Sequence, residues 1–204
     1  MIHRTIRALA LGAALLVCAP AMAQATPGQP APAFTLTDLA GKTVQLAQFR
    51  GRYVVLEWTN PSCPFVQKHY VSGNMQSLQK RYTAAGVAWL VINSTAASHP
   101  EFVQPAQQAA WLGKQGAAPT VAMLDPDGKV GRAYGARTTP HMYVIDPEGR
   151  LIYAGAIDDK RSANPADVKT ARNFVAQALD EAHAGRPVST ASTPAYGCSV
   201  KYAD

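Results

Sequence analysis

Cys63 is the residue of this chain best placed to do chemistry. It stands in the stretch LEWTNPSCPFVQKHY, where an apolar run ends and a polar, proline-containing turn leads into a predicted helix. A thiol at a helix N-terminus faces unpaired backbone N–H groups and the positive end of the helix dipole, which lower its pKa and favour the reactive thiolate. We therefore predict that Cys63 is a nucleophile. The alternative is a buried, inert small side chain.

The partner of this cysteine is not its near neighbour, because Val66 occupies the place of the second sulfur in a Cys-x-x-Cys pair. Cys198 lies near the C-terminus, after a stretch rich in Ser, Thr and Pro. A dozen extended residues span on the order of 40 Å, whereas a domain of this size has a radius of gyration of roughly 15 Å. The segment is therefore long enough to bring Cys198 to Cys63. The alternative is a free or intermolecular thiol at Cys198.

Three ionisable side chains near Cys63 could assist it. Glu57 precedes the cysteine by six residues and lies in an apolar run, where burial raises the pKa of a carboxyl and suits it to proton relay. The alternative is a structural carboxylate hydrogen-bonded to backbone. Lys68 and His69 follow in the predicted helix and could supply positive charge or a proton, although for Lys68 a solvated helix face is the favoured interpretation.

A strand, a helix and a second strand must position these residues. The run Tyr53–Trp58 is continuously β-branched and aromatic, which is typical of a strand buried on both faces. An apolar helical pattern begins at Pro64, with Gly73 as a break partway along. Val87–Ile92 is a second buried strand. This order predicts a parallel β-α-β unit.

Shorter elements complete the predicted domain. Asp-Pro-x-Gly turns separate several of them. We predict strands at Phe34–Leu36, Thr43–Leu46, Val121–Leu124, Met142–Ile145 and Leu151–Ala154, a helix at Glu101–Gln115 that contains Pro105, and a last helix that Asn164 caps, that starts at Pro165 and that carries an apolar stripe as far as Ala182.

The two ends of the chain differ from its middle. A charged start, a short uncharged run and the small-residue site APAMAQA are typical of a secretory signal, and the run is shorter than the about 20 apolar residues that span a bilayer. We predict a signal peptide at residues 1–25, a domain at 26–185 and a flexible, cysteine-containing C-terminal tail at 186–204. The chain would then be periplasmic or otherwise exported, where disulfides persist, with no membrane anchor after cleavage.

The order of these elements resembles the thioredoxin fold. The shared features are the β-α-β unit with cysteine at the strand-to-helix junction, the Thr-Pro dipeptide that enters the hairpin TTPHMYVIDPEGRLIYAG, and the closing helix. The lead-in PGQPAPAFTLTDLAGKTVQLAQFRGRYVVLEW is similar to the redoxin branch, the alkyl hydroperoxide reductase/thiol-specific antioxidant family together with exported thioredoxin-like proteins. The resemblance implies an α/β fold with a central mixed β-sheet flanked by helices and an N-terminal β extension.

The resemblance also implies which residues meet a substrate. Thr139-Pro140 resembles the cis-proline corner that lies against the active cysteine in this fold and offers backbone to an extended partner chain. With Pro64 and Trp58 beside Cys63, these residues are the predicted substrate-binding set.

One part of the family pattern is absent. Peroxiredoxins read Pro-x-x-x-Thr/Ser-x-x-Cys before the peroxide-reactive cysteine, whereas the corresponding residues here are Leu56 and Asn60. Where one peroxiredoxin branch places its arginine this chain has Pro140, with Arg137 close by. The sequence therefore does not predict a specialised peroxidase.

Two functions of different class follow. In the first, the protein is an exported thiol oxidoreductase without a cofactor: Cys63 attacks a protein or small-molecule disulfide or a hydroperoxide, Cys198 resolves the intermediate, and a thiol reductant completes the cycle. In the second, Cys63, Cys198 and His141 or Met142 bind Cu(I) in a metallochaperone, because soft sulfur ligands and imidazole suit copper. A non-catalytic scaffold is the third possibility. The formal net charge is +6 without a basic cluster interleaved with aromatic residues, so nucleic acid is not implied.

Overall fold

A seven-stranded mixed sheet forms the centre of the molecule. The computed structural model describes residues 24–203, so the predicted signal peptide lies almost wholly outside the described residues. The strands of this sheet span Thr35–Asp38 (β1), Thr43–Gln45 (β2), Val54–Trp58 (β3), Ala88–Asn93 (β4), Val121–Leu124 (β5), His141–Ile145 (β7) and Leu151–Gly155 (β8), and a separate short pair is made by Thr138–Thr139 (β6) and Cys198–Ser199 (β9). The spatial order across the sheet is β2-β1-β5-β4-β3-β7-β8.

Helices lie against the sheet. The break predicted at Gly73 is present, since this glycine has a φ of 75° and separates two helices. The α-helices span Pro64–Val71 (α1), Asn74–Ala84 (α2), Pro105–Lys114 (α3), Lys129–Tyr134 (α4) and Phe174–His183 (α5), and short 3-10 helices span Leu46–Phe49 and Pro165–Thr170.

The sheet is parallel at its centre and antiparallel at its edges. β3 pairs in parallel with β4, and β4 in parallel with β5, while β7 and β8 continue the sheet antiparallel on the other side of β3. The hairpin of β1 and β2 pairs antiparallel with β5. Every residue of β3 and β4 is buried, as expected for strands covered on both faces. The predicted thioredoxin-like mixed sheet with an N-terminal β extension is confirmed.

The predicted helix at Glu101–Gln115 begins later than expected. Proline lacks an N–H group and has a helical φ, so it suits the first position of a helix rather than its interior. Pro105 takes that position in α3, and the Gln104 N–H donates to Gln107 Oε1 at 2.8 Å. Pro105 is therefore the first residue of α3, whereas the sequence-based prediction placed it inside the helix.

The predicted last helix is two helices. Asn164 caps the first, as expected, by accepting a hydrogen bond from the Ala166 N–H. The chain then leaves the helical path to pair with a neighbouring loop, where the Phe174 N–H donates to Ile157 O at 2.9 Å. Asn173 caps the second helix by accepting from the Ala176 N–H. Only the second helix contributes buried residues, whereas the 3-10 helix at Pro165–Thr170 has none, so the inward apolar stripe begins at Phe174. α4 was not predicted at all; it is a short helix between two glycines.

The C-terminal tail, which composition predicts to be flexible, lies along the domain as far as it is described. The Ala154 N–H donates to Ala191 O, and the Thr193 N–H donates back to Ala154 O. Nearer the C-terminus, Tyr202 of the tail packs against Gly131, where a Cβ would lie 2.3 Å from the Tyr202 hydroxyl oxygen. The tail therefore follows a path shaped by the domain surface.

Within residues 24–203, no helix has the length and apolar character needed to cross a membrane.

Candidate redox site

The turn between β3 and α1 places Cys63 at a helix N-terminus. The side chain of Asn60 shapes this turn, since its Oδ1 accepts from the Ser62 N–H at 2.8 Å, while the Cys63 N–H donates to the Asn60 carbonyl at 3.0 Å. Cys63 is the N-cap residue of α1 and Pro64 its first residue. This is the position predicted from the sequence, where the helix dipole favours a thiolate in the reduced protein.

A disulfide joins Cys63 to Cys198 in the structure. Their Cα atoms are 6.0 Å apart, although 135 residues separate them in sequence, and this distance lies in the usual range for disulfides. The sulfur of Cys63 is also 3.1 Å from the Thr139 carbonyl oxygen. The Thr139-Pro140 peptide bond is cis. The structure thus brings both cysteines together with the predicted cis-proline corner.

The C-terminal tail occupies the backbone edge at this corner. β9 pairs antiparallel with β6, so that Cys198 lies opposite Thr139 and Ser199 opposite Thr138. Gly197 permits this approach, because a Cβ at that position would lie 2.1 Å from the Thr139 carbonyl oxygen. An edge that could pair with an extended partner chain is here covered by the protein's own tail.

The two remaining predicted substrate-binding residues have different surroundings. Pro64 is exposed beside Cys63. Trp58 is fully buried, its indole N–H donates to Ser94 Oγ at 2.9 Å, and its ring packs on Tyr134 and Tyr143. Side chains alternate along a strand, which places Trp58 on the sheet face opposite Glu57. The structure therefore does not bring Trp58 to the site, and the alternation along β3 was the signal that could have excluded it.

Glu57 is a fully buried carboxylate held by three donors. Oε1 accepts from the Tyr70 hydroxyl at 2.8 Å, and Oε2 accepts from the Trp89 indole at 2.8 Å and from the Gln79 amide at 3.1 Å. Burial raises the pKa of Glu57, and these hydrogen bonds oppose the increase. Its described partners are side chains rather than backbone, and one of them, Tyr70, belongs to α1, the helix that Cys63 caps.

Lys68 is buried rather than solvated, which corrects the sequence-based interpretation. Its Nζ lies 3.3 Å from Asp158 Oδ2 and donates to the Lys160 carbonyl at 2.7 Å. Neighbouring His69 is also buried, and burial lowers its pKa to about 4, so the imidazole is neutral at pH 7. The ion pair between Lys68 and Asp158 could not be predicted from local sequence, because the two residues are 90 positions apart.

Residues considered for copper lie beside the corner without forming a set of ligands. His141 Nδ1 is 3.3 Å from the Arg137 N–H and 3.2 Å from the Tyr143 hydroxyl, and burial lowers the pKa of His141 to about 4. Met142 is fully buried in the core. No group of three or more His, Cys, Asp or Glu side chains suited to a metal occurs in the part of the chain that the structure describes.

The fold and site define a thioredoxin-fold redoxin. A model of the AhpC/TSA family matches residues 27–154, and the chain belongs to that family. The paired cysteines at this site are the groups that thiol-based redox chemistry uses.

Relatives within this group carry names of two kinds. The chain is 28% identical to thiol-disulfide oxidoreductase ResA of Bacillus cereus over 127 residues, which are 61% of this chain and 66% of ResA, just under two thirds of that protein. It is 32% identical over 146 residues, 63% of this chain, to a Mycobacterium tuberculosis protein provisionally named a peroxiredoxin, of which it covers 83%.

Solved structures resemble a larger share of the chain. An uncharacterised conserved protein of Geobacillus kaustophilus has a TM-score of 0.74 and 29% identity, and the match covers 87% of this chain and 93% of that protein. A hypothetical protein of Sinorhizobium meliloti has a TM-score of 0.73 and 28% identity, covering 89% and 97%. Both matches therefore extend well beyond the part that the family model covers.

Proposed function

We propose that the protein is a thiol-disulfide oxidoreductase in which Cys63 is the nucleophile and Cys198 the resolving thiol. The observation that carries this proposal is the Cys63–Cys198 disulfide, which joins a helix N-terminus to the C-terminal tail beside the cis-proline corner. Cys198 then serves as the second cysteine, because Val66 stands where a Cys-x-x-Cys motif has its own.

The reaction proceeds through one intermediate. In the reduced protein the Cys63 thiolate attacks one sulfur of a substrate disulfide, forming a mixed disulfide and releasing the other sulfur as a thiolate that takes up a proton. Cys198 then attacks the Cys63 sulfur, forming the internal disulfide and releasing the second substrate sulfur as a thiol. The substrate has gained two electrons and two protons. An external thiol reductant returns both cysteines to the reduced state.

Access to Cys63 depends on the tail. With the tail in place, the relative exposure of Cys63 is 1%, so a substrate sulfur cannot approach it. Reduction removes the covalent bond that holds Cys198 there, and release of the tail then uncovers both the sulfur and the backbone edge at Thr139. An extended peptide can pair with such an edge. We therefore propose a cysteine-containing peptide or protein disulfide as the substrate.

Hydroperoxide is the less favoured oxidant because the residues at the peroxiredoxin positions are Leu56 and Asn60. Asn60 is already engaged, since its Nδ2 donates to Glu101 Oε2 at 2.8 Å and its Oδ1 accepts from the Ser62 N–H. We expect the reduced protein to lose its thiols faster with a peptide disulfide than with hydrogen peroxide at equal concentration. Stopped-flow tryptophan fluorescence or timed alkylation measures both rates. A faster reaction with peroxide would contradict the proposed substrate class.

We also propose export, with signal cleavage before Gln24 or Thr26. The N-terminal pattern and a disulfide suited to an oxidising compartment support this. Intact-mass measurement of the protein from the cell envelope is expected to show a chain that begins at one of these residues. A chain that retains Met1 in the membrane fraction would contradict cleavage.

A further inference from the structure

A buried ionic pair lies next to the redox pair and has no part in the chemistry described so far. Lys68 and Asp158 are each at most 2% exposed, and their charged atoms are 3.3 Å apart. A buried charge is costly unless it is paired and hydrogen-bonded. The Lys160 carbonyl accepts from Lys68, and the Lys160 N–H donates to Asp158 Oδ1. Residues outside the tail thus supply some, but not all, of the hydrogen bonds that Lys68 and Asp158 make.

The tail supplies a further partner, Tyr196. Its hydroxyl donates to Asp158 Oδ1 and lies 3.2 Å from Lys68 Nζ and 3.5 Å from His69 Nε2. The Tyr196 ring packs edge-on against Phe65 with 5.9 Å between centroids. Only 5% of Tyr196 is exposed. A tail tyrosine thus covers the ion pair and excludes water from it.

Tyr196 is two residues before Cys198, and little freedom remains between them. Gly197 lies against the Thr139 carbonyl with no space for a side chain. Cys198, in β9, is the strand partner of Thr139 in β6. Beyond the cysteine, the Val200 N–H donates to Arg137 O at 3.0 Å. The position of Cys198 over Cys63 is therefore fixed by anchors on both sides.

We propose that Tyr196 is the positioning residue of the redox pair: docking of its phenol on Lys68 and Asp158 delivers Cys198 to Cys63. This inference rests on the proposed function. In this proposal the Lys68–Asp158 ion pair is the binding site for the Tyr196 hydroxyl of the tail. Docking raises the effective concentration of Cys198 at the Cys63 sulfur, and so favours closure of the internal disulfide over a mixed disulfide with an outside thiol.

The equilibrium with glutathione measures this effective concentration directly. One internal disulfide and two glutathione thiols exchange for two protein thiols and one glutathione disulfide, so atoms and electrons balance. In Tyr196→Phe the hydroxyl bonds to a charged pair are lost, and we expect the effective concentration to fall about tenfold. Tyr53→Phe is the matched control: its hydroxyl donates to Ala182 O, and Tyr53 precedes β3 at the end opposite to Cys63, so the variant should match the wild type.

A second comparison separates docking of the tail from the reactivity of Cys63. In a Cys198→Ser background no internal disulfide can form, and weaker docking of the tail only exposes Cys63, so Tyr196→Phe should not lower the equilibrium constant for the Cys63–glutathione mixed disulfide. A decrease there as large as the decrease for the internal disulfide would overturn the positioning role, because Tyr196 would then act on the reactivity of Cys63 itself. Equal effective concentrations in Tyr196→Phe and wild type would also overturn it. Failure of the wild type itself to form the internal disulfide would instead refute the proposed function.

Discussion

Cys198→Ser is expected to react once with a peptide disulfide and then stop. Cys63 still attacks, because it lies at the N-terminus of α1 whichever residue stands at 198, but no internal thiol can release the mixed disulfide. The intermediate should therefore accumulate to one equivalent per chain, and steady-state turnover should fall to the background rate. Intact-mass spectrometry after acid quenching would detect the added peptide.

Cys63→Ser is the matched variant, and we expect it to form no mixed disulfide under the same conditions. The contrast follows from the order of events, since the resolving thiol acts only on an intermediate that the nucleophile has made. Two results would reverse or remove the assigned roles. Capture of peptide by Cys63→Ser at the wild-type rate would make Cys198 the nucleophile, whereas normal turnover of Cys198→Ser would replace it with an external thiol.

Glu57→Leu should cost the fold about 3 kcal/mol or more, which is a large share of a typical domain stability. Leucine would leave the indole of Trp89, the amide of Gln79 and the hydroxyl of Tyr70 without the acceptor they share. The Gln79 amide cannot turn to compensate freely, because its oxygen accepts from the Ala118 N–H at 2.8 Å. Urea unfolding of the oxidised proteins would measure the loss. A cost below 1 kcal/mol would contradict this account of the site.

Glu57→Gln is the conservative partner of that variant, and its effect should depend on pH. Because burial raises the folded-state pKa of Glu57, the carboxyl contributes stability that is present below its unfolded pKa and is lost as pH rises through the folded pKa. Glutamine does not titrate. The stability of Glu57→Gln relative to wild type should therefore improve from acid to neutral pH, and a trend in the opposite direction would refute the raised pKa.

Turnover of Glu57→Gln tests the proposed proton relay, because the amide retains the size of the side chain while removing the titrating group. We expect a loss of about a hundredfold, the lower range for a general acid or base. A wild-type rate across the same pH range would leave Glu57 a structural residue.

Local patterns in the sequence were sufficient to predict the main elements and the placement of Cys63. Continuous apolar runs marked β3 and β4, and the turn before Pro64 marked the start of a helix. The limits of the last helix were less predictable, because its interruption depends on a backbone hydrogen bond between Phe174 and Ile157. The spacing of apolar residues within one segment carries no information about a hydrogen bond to a different segment.

Contacts between distant residues were the part that the sequence did not reveal. The burial of Lys68 depends on Asp158 and Tyr196, which lie 90 and 128 residues away. The reach of the tail allowed a Cys63–Cys198 pair but did not select it over a free thiol. Docking of the tail depends on Tyr196, on Gly197 and on positions such as Gly131. Nothing in the sequence around these residues indicates that they make these contacts.

Non-reducing peptide mapping shows directly whether Cys63 and Cys198 form a disulfide in the isolated protein. The protein should be isolated with free thiols blocked at lysis, digested without reductant and compared with a reduced digest. We expect one linked pair of peptides, containing Cys63 and Cys198, that separates on reduction. Two results would contradict this pairing: Cys198 linked to a second chain, or both cysteines recovered as blocked free thiols from a sample exposed to a peptide disulfide before the thiols are blocked.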